Sequence, residues 1–73
     1  MNEADLYKKI GQRIKFLREQ EGISQHELAL RCDFETSNMC RIESGKTNLT
    51  VKTIATIAKA LELPFYRITE GIK

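Results

Sequence analysis

The chain has few of the residues that are abundant in secreted and metal-binding proteins. Its 73 residues include two cysteines, one histidine, one proline and no tryptophan. Two cysteines are too few for a disulfide framework. Cys32, Cys40 and His26 have neither the spacing nor the fourth ligand of a zinc site. We therefore expect two reduced thiols, no metal and no cofactor, in a cytoplasmic protein.

Long apolar runs are also missing, and the charge is nearly balanced. No apolar stretch is long enough to cross a membrane, and the N-terminal "MNEADLYKK" lacks the apolar core of a signal peptide. Twelve basic and ten acidic residues give a net charge of +2. Five of the basic residues fall within residues 8–18, which contain no acid: Lys8, Lys9, Arg13, Lys15 and Arg18. This run is a weak indication of nucleic-acid binding, because a solvated helix face explains it equally well.

The length predicts one domain, residues 1–73, with an ordered core at about 6–69 and frayed termini. Apolar residues recur at helical rather than alternating spacing, so we expect an all-α fold of five short helices. The first helix covers about residues 5–21 and the second begins after Ser24. The third covers residues 36–44, the fourth begins after Thr50, and Pro64 opens the fifth. An enzyme is not expected, because His26 has no acid or nucleophile at a motif spacing.

The second and third helices, joined by a short turn, have the proportions of a helix-turn-helix. In "SQHE", Ser24 and Glu27 form a capping-box pattern at the start of the second helix. At about 100° per residue, the third helix separates into two faces. Thr36, Ser37, Cys40, Arg41 and Ser44 share the outer face, whereas Asn38, Met39, Ile42 and Glu43 fall on the inner arc. Ser, Thr and Cys are poorer helix formers than Lys or Glu, so the outer face is typical of one that approaches a partner closely.

A DNA major groove admits one α-helix, and small polar side chains with one arginine suit contacts to base edges. From the residues alone, Thr36, Ser37 and Arg41 are candidates for base contacts. Gln25, at the start of the second helix, and the loop residues Lys46, Thr47 and Asn48 are candidates for phosphate contacts. A helical bundle that binds only other proteins remains the alternative at this point.

Two segments, "IGQRIKFLREQEGISQHELALRC" and "RIESGKTNLTVKTIATIAKAL", resemble the Xre family of lambda-repressor-like helix-turn-helix proteins. The resemblance implies a lambda-repressor-like DNA-binding domain with residues 36–44 as its recognition helix. It implies base contacts from Thr36, Ser37, Asn38 and Arg41, and backbone contacts from Gln25, Ser44, Lys46, Thr47 and Asn48. It further implies a buried ion pair between Arg18 and Glu43. Asp33 and Glu35 depart from the family pattern, which has Gly at the turn and Ser or Thr at the helix start.

The same resemblance implies a bacterial or phage transcriptional regulator associated with the nucleoid. We expect a repressor or autoregulator that binds a near-palindromic operator as a homodimer. The candidate dimer interface consists of Phe65, Tyr66, Ile68 and Ile72, with the alternative that Phe65 and Ile68 close the core. Two other functions stay open: an antitoxin that binds its operator and a toxin protein, and a protein-interaction bundle. Cys40 on the outer face also raises the hypothesis of redox-sensitive DNA binding.

Overall fold

The computed structural model describes residues 2–72, which form five helices and no strand. The helices are α1 (Glu3–Gln20), α2 (Gln25–Cys32), α3 (Thr36–Glu43), α4 (Val51–Ala60) and α5 (Tyr66–Thr69). The expected all-α fold is confirmed. α1 begins two residues earlier than the periodicity indicates, because Asn2 caps it: the Asn2 side-chain oxygen accepts from the Asp5 N–H at 2.9 Å. Within residues 2–72, no helix combines the length and apolar character needed to cross a bilayer.

Side-chain caps fix where α2 and α4 begin. The Ser24 hydroxyl oxygen accepts from the Glu27 N–H at 3.0 Å, and the Thr50 hydroxyl oxygen accepts from the Thr53 N–H at 3.1 Å. Of the two hydrogen bonds in the predicted capping box at Ser24 and Glu27, the structure shows the one that the Ser24 hydroxyl accepts. The Glu27 carboxylate instead lies 3.2 Å from Arg31 Nε, one helical turn later, where it forms an exposed ion pair.

Residues 33–35 alone separate α2 from α3, and Asp33 makes so tight a turn possible. Its backbone is left-handed, with φ 61° and ψ 38°, a conformation that a short polar side chain tolerates better than most. The Phe34 N–H donates to the Ala29 carbonyl at 2.8 Å, and the Asp33 N–H donates to the Leu30 carbonyl at 3.1 Å. These two bonds close the end of α2 as a Schellman motif. α3 therefore leaves the turn in a defined direction.

The core lies where all five helices meet, and each helix contributes to it. Fully buried side chains come from α1, α2, α3, α4 and α5 in turn: Ile14, Leu28, Met39, Ile57 and Ile68. Ile68 has no exposed surface, so of its two predicted roles, dimer interface or core, it has the role in the core. A four-residue helix has room for few anchors, and Ile68 is the one that holds α5 on the domain. Cys32 is buried in the same core, as its position on α2 indicates.

α1 and α3 cross in close contact at Gly11. A Cβ added at Gly11 would lie 2.4 Å from the Ile42 carbonyl oxygen and 2.7 Å from the Glu43 carbonyl oxygen. Both oxygens belong to the backbone of α3, so neither can turn aside as a flexible side chain would. The missing side chain of Gly11 thus sets how closely the backbone of α3 approaches α1.

We expect Gly11→Ala to lower the free energy of unfolding by about 1–3 kcal/mol, the usual cost of overpacking. In an exposed helix position the same change is stabilising by about 0.5–1 kcal/mol, so the sign of the effect is informative. Urea unfolding followed by circular dichroism measures it. Gln12→Ala, at the exposed neighbouring position, is the control and should change stability by less than about 0.5 kcal/mol. A stabilised Gly11→Ala variant would show that α1 and α3 are not in backbone contact.

Candidate nucleic-acid interface

The outer face of α3 is free of contacts with the core. Thr36, Ser37, Cys40 and Arg41 are exposed on it, and Ser44 is exposed directly after the helix ends. Met39, Ile42 and Glu43 face inward and are buried. The helix therefore presents a surface of small polar side chains with one arginine at its far end.

Asn38 does not face the core, although the helical angle groups it with Met39. It is exposed, and it lines a shallow groove with Arg41 and the turn residues 33–35. Asn38 lies on the flank of α3, three residues before Arg41. The connection between α2 and α3 does not cover this flank. Asn38 therefore lies beside the outer face of α3.

A buried cluster of three polar side chains connects α3 to the rest of the domain. Arg18 donates twice to Glu43, from Nε to Oε2 at 2.7 Å and from Nη2 to Oε1 at 3.1 Å. Arg18 Nη1 also donates to the Ile23 carbonyl at 2.8 Å, and Gln25 Nε2 donates to Glu43 Oε1 at 3.0 Å. Arg18 is only 8 % exposed and Glu43 only 5 %. The cluster thus joins α1, the α1–α2 loop, the start of α2 and the end of α3.

The hydrogen bonds that Arg18 donates to Glu43 raise the pKa of the Arg18 guanidinium above its ordinary value, although burial acts in the opposite direction. The guanidinium therefore keeps its charge despite its burial. Among residues 2–72, no buried side-chain nitrogen or oxygen lacks a hydrogen-bond partner. This satisfied pairing is the condition under which a buried ion pair is tolerated.

Gln25 has a structural contact that the sequence pattern did not reveal. Its side-chain amide, expected at a phosphate, is half-buried and donates to Glu43. The second hydrogen of this amide and the N–H at the first position of α2 are the donors left for an anion. Contact with the Glu43 carboxylate thus fixes the orientation of the side chain before any partner binds.

The loop after α3 contains the other residues that the sequence predicts to contact phosphate. Gly45 has a φ of +75°, and a Cβ there would lie 2.5 Å from the Cα of Lys8, so the loop packs directly on α1. Lys46 and Asn48 are exposed and Thr47 is half-buried. The Ser44 hydroxyl donates to the Arg41 carbonyl at 3.1 Å, which occupies its only hydrogen.

A contact between His26 and Thr36 was not predicted from the sequence. His26 is exposed, as expected at the second position of α2. Its Nδ1 nevertheless lies 2.9 Å from the Thr36 hydroxyl oxygen, across the turn and at the first position of α3. The two residues are ten positions apart, so no helical periodicity relates them. Only the geometry of the turn brings them together.

The two cysteines have opposite environments. Burial raises the pKa of the Cys32 thiol, so this thiol is less reactive than an exposed one. Cys40 is exposed on α3, in a shallow pocket lined by Lys15, Gln25, Glu43 and Ser44. In the part of the chain that the structure describes, no three metal-ligating side chains lie close together.

Comparisons with known proteins agree with this geometry. The profile of the family described as "Helix-turn-helix domain" matches residues 11–72. A protein of Sinorhizobium fredii, named as an uncharacterized HTH-type transcriptional regulator y4dJ, is 33% identical over 57 residues. That match spans 78% of this chain and 74% of the relative.

This chain is a helix-turn-helix transcriptional regulator of the Xre type. The crystal structure of the restriction-modification controller protein C.AhdI from Aeromonas hydrophila has a TM-score of 0.82 and 34% identity, covering 89% of this chain and 97% of that one. The wild-type controller protein C.Esp1396I has a TM-score of 0.79 and 30% identity, covering 86% and 85%. An HTH_3 family regulator from Vibrio cholerae shares the fold with a TM-score of 0.90 at 24% identity, over 40% of its length. The DNA-binding family predicted from the sequence is thereby confirmed.

We expect Arg18→Met to lower the free energy of unfolding of this regulator by about 3–5 kcal/mol, because it leaves the Glu43 carboxylate buried without its cation. The double variant Arg18→Met/Glu43→Leu removes both charges and should recover most of that loss. Urea unfolding of the two variants beside the wild type measures the difference. A double variant that is no more stable than the single one would show that burial of an unpaired charge is not the cause.

Proposed function

We propose that this regulator binds a near-palindromic operator as a homodimer and represses transcription, including that of its own gene. The observation that carries the proposal is the exposed face of α3, which offers Thr36, Ser37, Asn38 and Arg41 around a buried anchor of Met39 and Ile42. Short side chains let the helix backbone enter a groove about 12 Å wide. A rigid helix aimed outward in this way is the recognition element of the helix-turn-helix architecture.

The exposed residues fall into two groups, one suited to contact base edges and one suited to contact phosphates. Arg41, the one cation on α3, suits bidentate contact with a guanine. Thr36 and Ser37 lie in the first turn, the part of a recognition helix nearest the base edges. Lys46, Thr47 and Asn48 lie beyond the end of the helix, where they suit the phosphate backbone. The N–H groups at the start of α2 supply a further phosphate site.

The structural neighbours support a regulatory role for a domain of this size. The controller proteins C.AhdI and C.Esp1396I are matched over 97% and 85% of their own length. We infer that this chain is likewise a controller protein, and we propose that its helix-turn-helix domain both dimerises and binds DNA. An antitoxin role stays a prediction, which a toxin gene beside this one would favour.

We expect Arg41→Ala and Lys46→Ala to have different effects on binding. Arg41→Ala should cost about 1–3 kcal/mol and relax the preference at one base position, because it removes a base contact. Lys46→Ala should weaken binding to all duplexes alike and reduce the salt dependence by about one counterion. Selection from a random duplex library, followed by affinity measurements at several salt concentrations, compares the two variants.

Enrichment of a palindrome by the wild type, blurred at one position by Arg41→Ala, is the expected result. Identical effects of the two variants on every duplex would contradict the division between base and phosphate contacts. Absence of any enriched sequence would contradict the proposed function and favour a protein-interaction bundle.

The proposed dimer uses the exposed aromatic residues of the C-terminal segment. Phe65 is 39 % exposed and Tyr66 63 %, both at the start of α5. Ile72 is half-buried against the core, so it offers less surface to a partner. With Ile68 inside the core, we assign the interface chiefly to Phe65 and Tyr66.

Tyr66→Glu should weaken dimerisation at least about tenfold, because a carboxylate buried between two protomers lacks a partner. Analytical ultracentrifugation without DNA measures the dissociation constant. Val51→Glu is the matched control: Val51 is 73 % exposed at the opposite end of α4, and its replacement should leave dimerisation unchanged. Equal dimerisation of Tyr66→Glu and wild type would place the interface elsewhere.

A further inference from the structure

The hydrogen bond between His26 and Thr36 connects a residue of the proposed base-contacting surface, Thr36, to a residue outside that surface, His26. Thr36 occupies the first position of α3, and His26 the second position of α2. Their hydrogen bond joins Nδ1 to the threonine hydroxyl at 2.9 Å. His26 is therefore placed to act on a base contact without touching a base.

A hydroxyl has one hydrogen to donate and two lone pairs that accept. When the ring nitrogen accepts, the hydrogen of Thr36 is committed to His26 and the oxygen faces DNA as an acceptor. When the ring nitrogen donates, Thr36 keeps its hydrogen and faces DNA as a donor. The direction of the hydrogen bond between His26 and Thr36 thus decides which base edges suit Thr36.

We propose that His26 is a specificity-determining residue that acts through Thr36 by accepting its hydroxyl hydrogen. Nε2 of His26 has no protein partner among residues 2–72, so it is free to hold the ring proton in water while Nδ1 accepts. Thr36 then offers lone pairs to the major groove. Adenine and cytosine present amino donors there, whereas thymine and guanine present acceptors. The operator should therefore have adenine or cytosine at the base that Thr36 contacts.

This inference rests on the proposed function, and the same library selection tests both. Thr36→Val, which removes the hydroxyl and keeps the shape, identifies the base position that Thr36 contacts. At that position, His26→Ala should reduce the preference for adenine or cytosine about two- to tenfold. The variant lacks one hydrogen bond, so the Thr36 hydroxyl hydrogen is no longer held by the protein and can be donated to a base. His26→Asp accepts but does not donate, and should retain the preference.

Leu30→Ala is the control, because Leu30 is exposed one turn further along α2 and should leave every position unchanged. An enriched palindrome with guanine or thymine at the Thr36 position would overturn the proposed direction of the hydrogen bond. Equal base preferences of His26→Ala and wild type would overturn the role of His26 while leaving the proposed function intact. A wild type that enriches no sequence would overturn both.

The contact itself is open to a measurement without DNA. The ¹⁵N chemical shifts of the His26 ring distinguish an accepting from a donating Nδ1. We expect an accepting Nδ1 in the wild type and a shift at that nitrogen in Thr36→Val. An unchanged ring spectrum in Thr36→Val would overturn the proposal regardless of how the selection turns out.

Discussion

The pairing of Arg18 with Glu43 is the interaction on which the position of α3 depends. One carboxylate accepts three hydrogen bonds, two from α1 and one from Gln25 at the start of α2. Arg18 also holds the Ile23 carbonyl in the loop between those helices. Buried ion pairs often contribute little net stability compared with apolar residues, whereas loss of one partner is strongly destabilising. We infer that the cluster restricts the direction of α3 more than it stabilises the domain.

Close backbone packing acts together with this cluster. Gly11 brings the backbone of α3 against α1, and Gly45 brings the following loop against Lys8. Asp33 turns the chain between α2 and α3 within three residues, 33–35. Because both ends of α3 are held, its outer side chains need not support the fold. Thr36, Ser37 and Arg41 can consequently vary with the partner they contact without loss of the fold.

Much of this architecture follows from local sequence signals. The caps at Ser24 and Thr50 and the apolar stripes predicted the helices, because each depends on residues within one or two turns. The arcs of α3 identified Met39 and Ile42 as its anchors for the same reason. Among features that depend on tertiary geometry, the Arg18–Glu43 ion pair was expected only through the family resemblance, and other contacts were missed. The contact of Gly11 with α3, the hydrogen bond of Gln25 to Glu43 and that of His26 to Thr36 join positions 10 to 32 residues apart, and the burial of Ile68 is set by the other four helices.

Entry of the outer face of α3 into the groove of DNA can be tested through Cys40. This thiol is exposed at the middle of that face, whereas Cys32 is buried and serves as an internal reference. The measurement is the rate of iodoacetamide alkylation at each cysteine, by mass spectrometry, with and without a saturating duplex whose binding is followed by anisotropy. If α3 enters the groove, we expect bound duplex to slow alkylation of Cys40 strongly. An unchanged rate at Cys40 while the duplex is bound would contradict it, because DNA would then contact another surface of the domain.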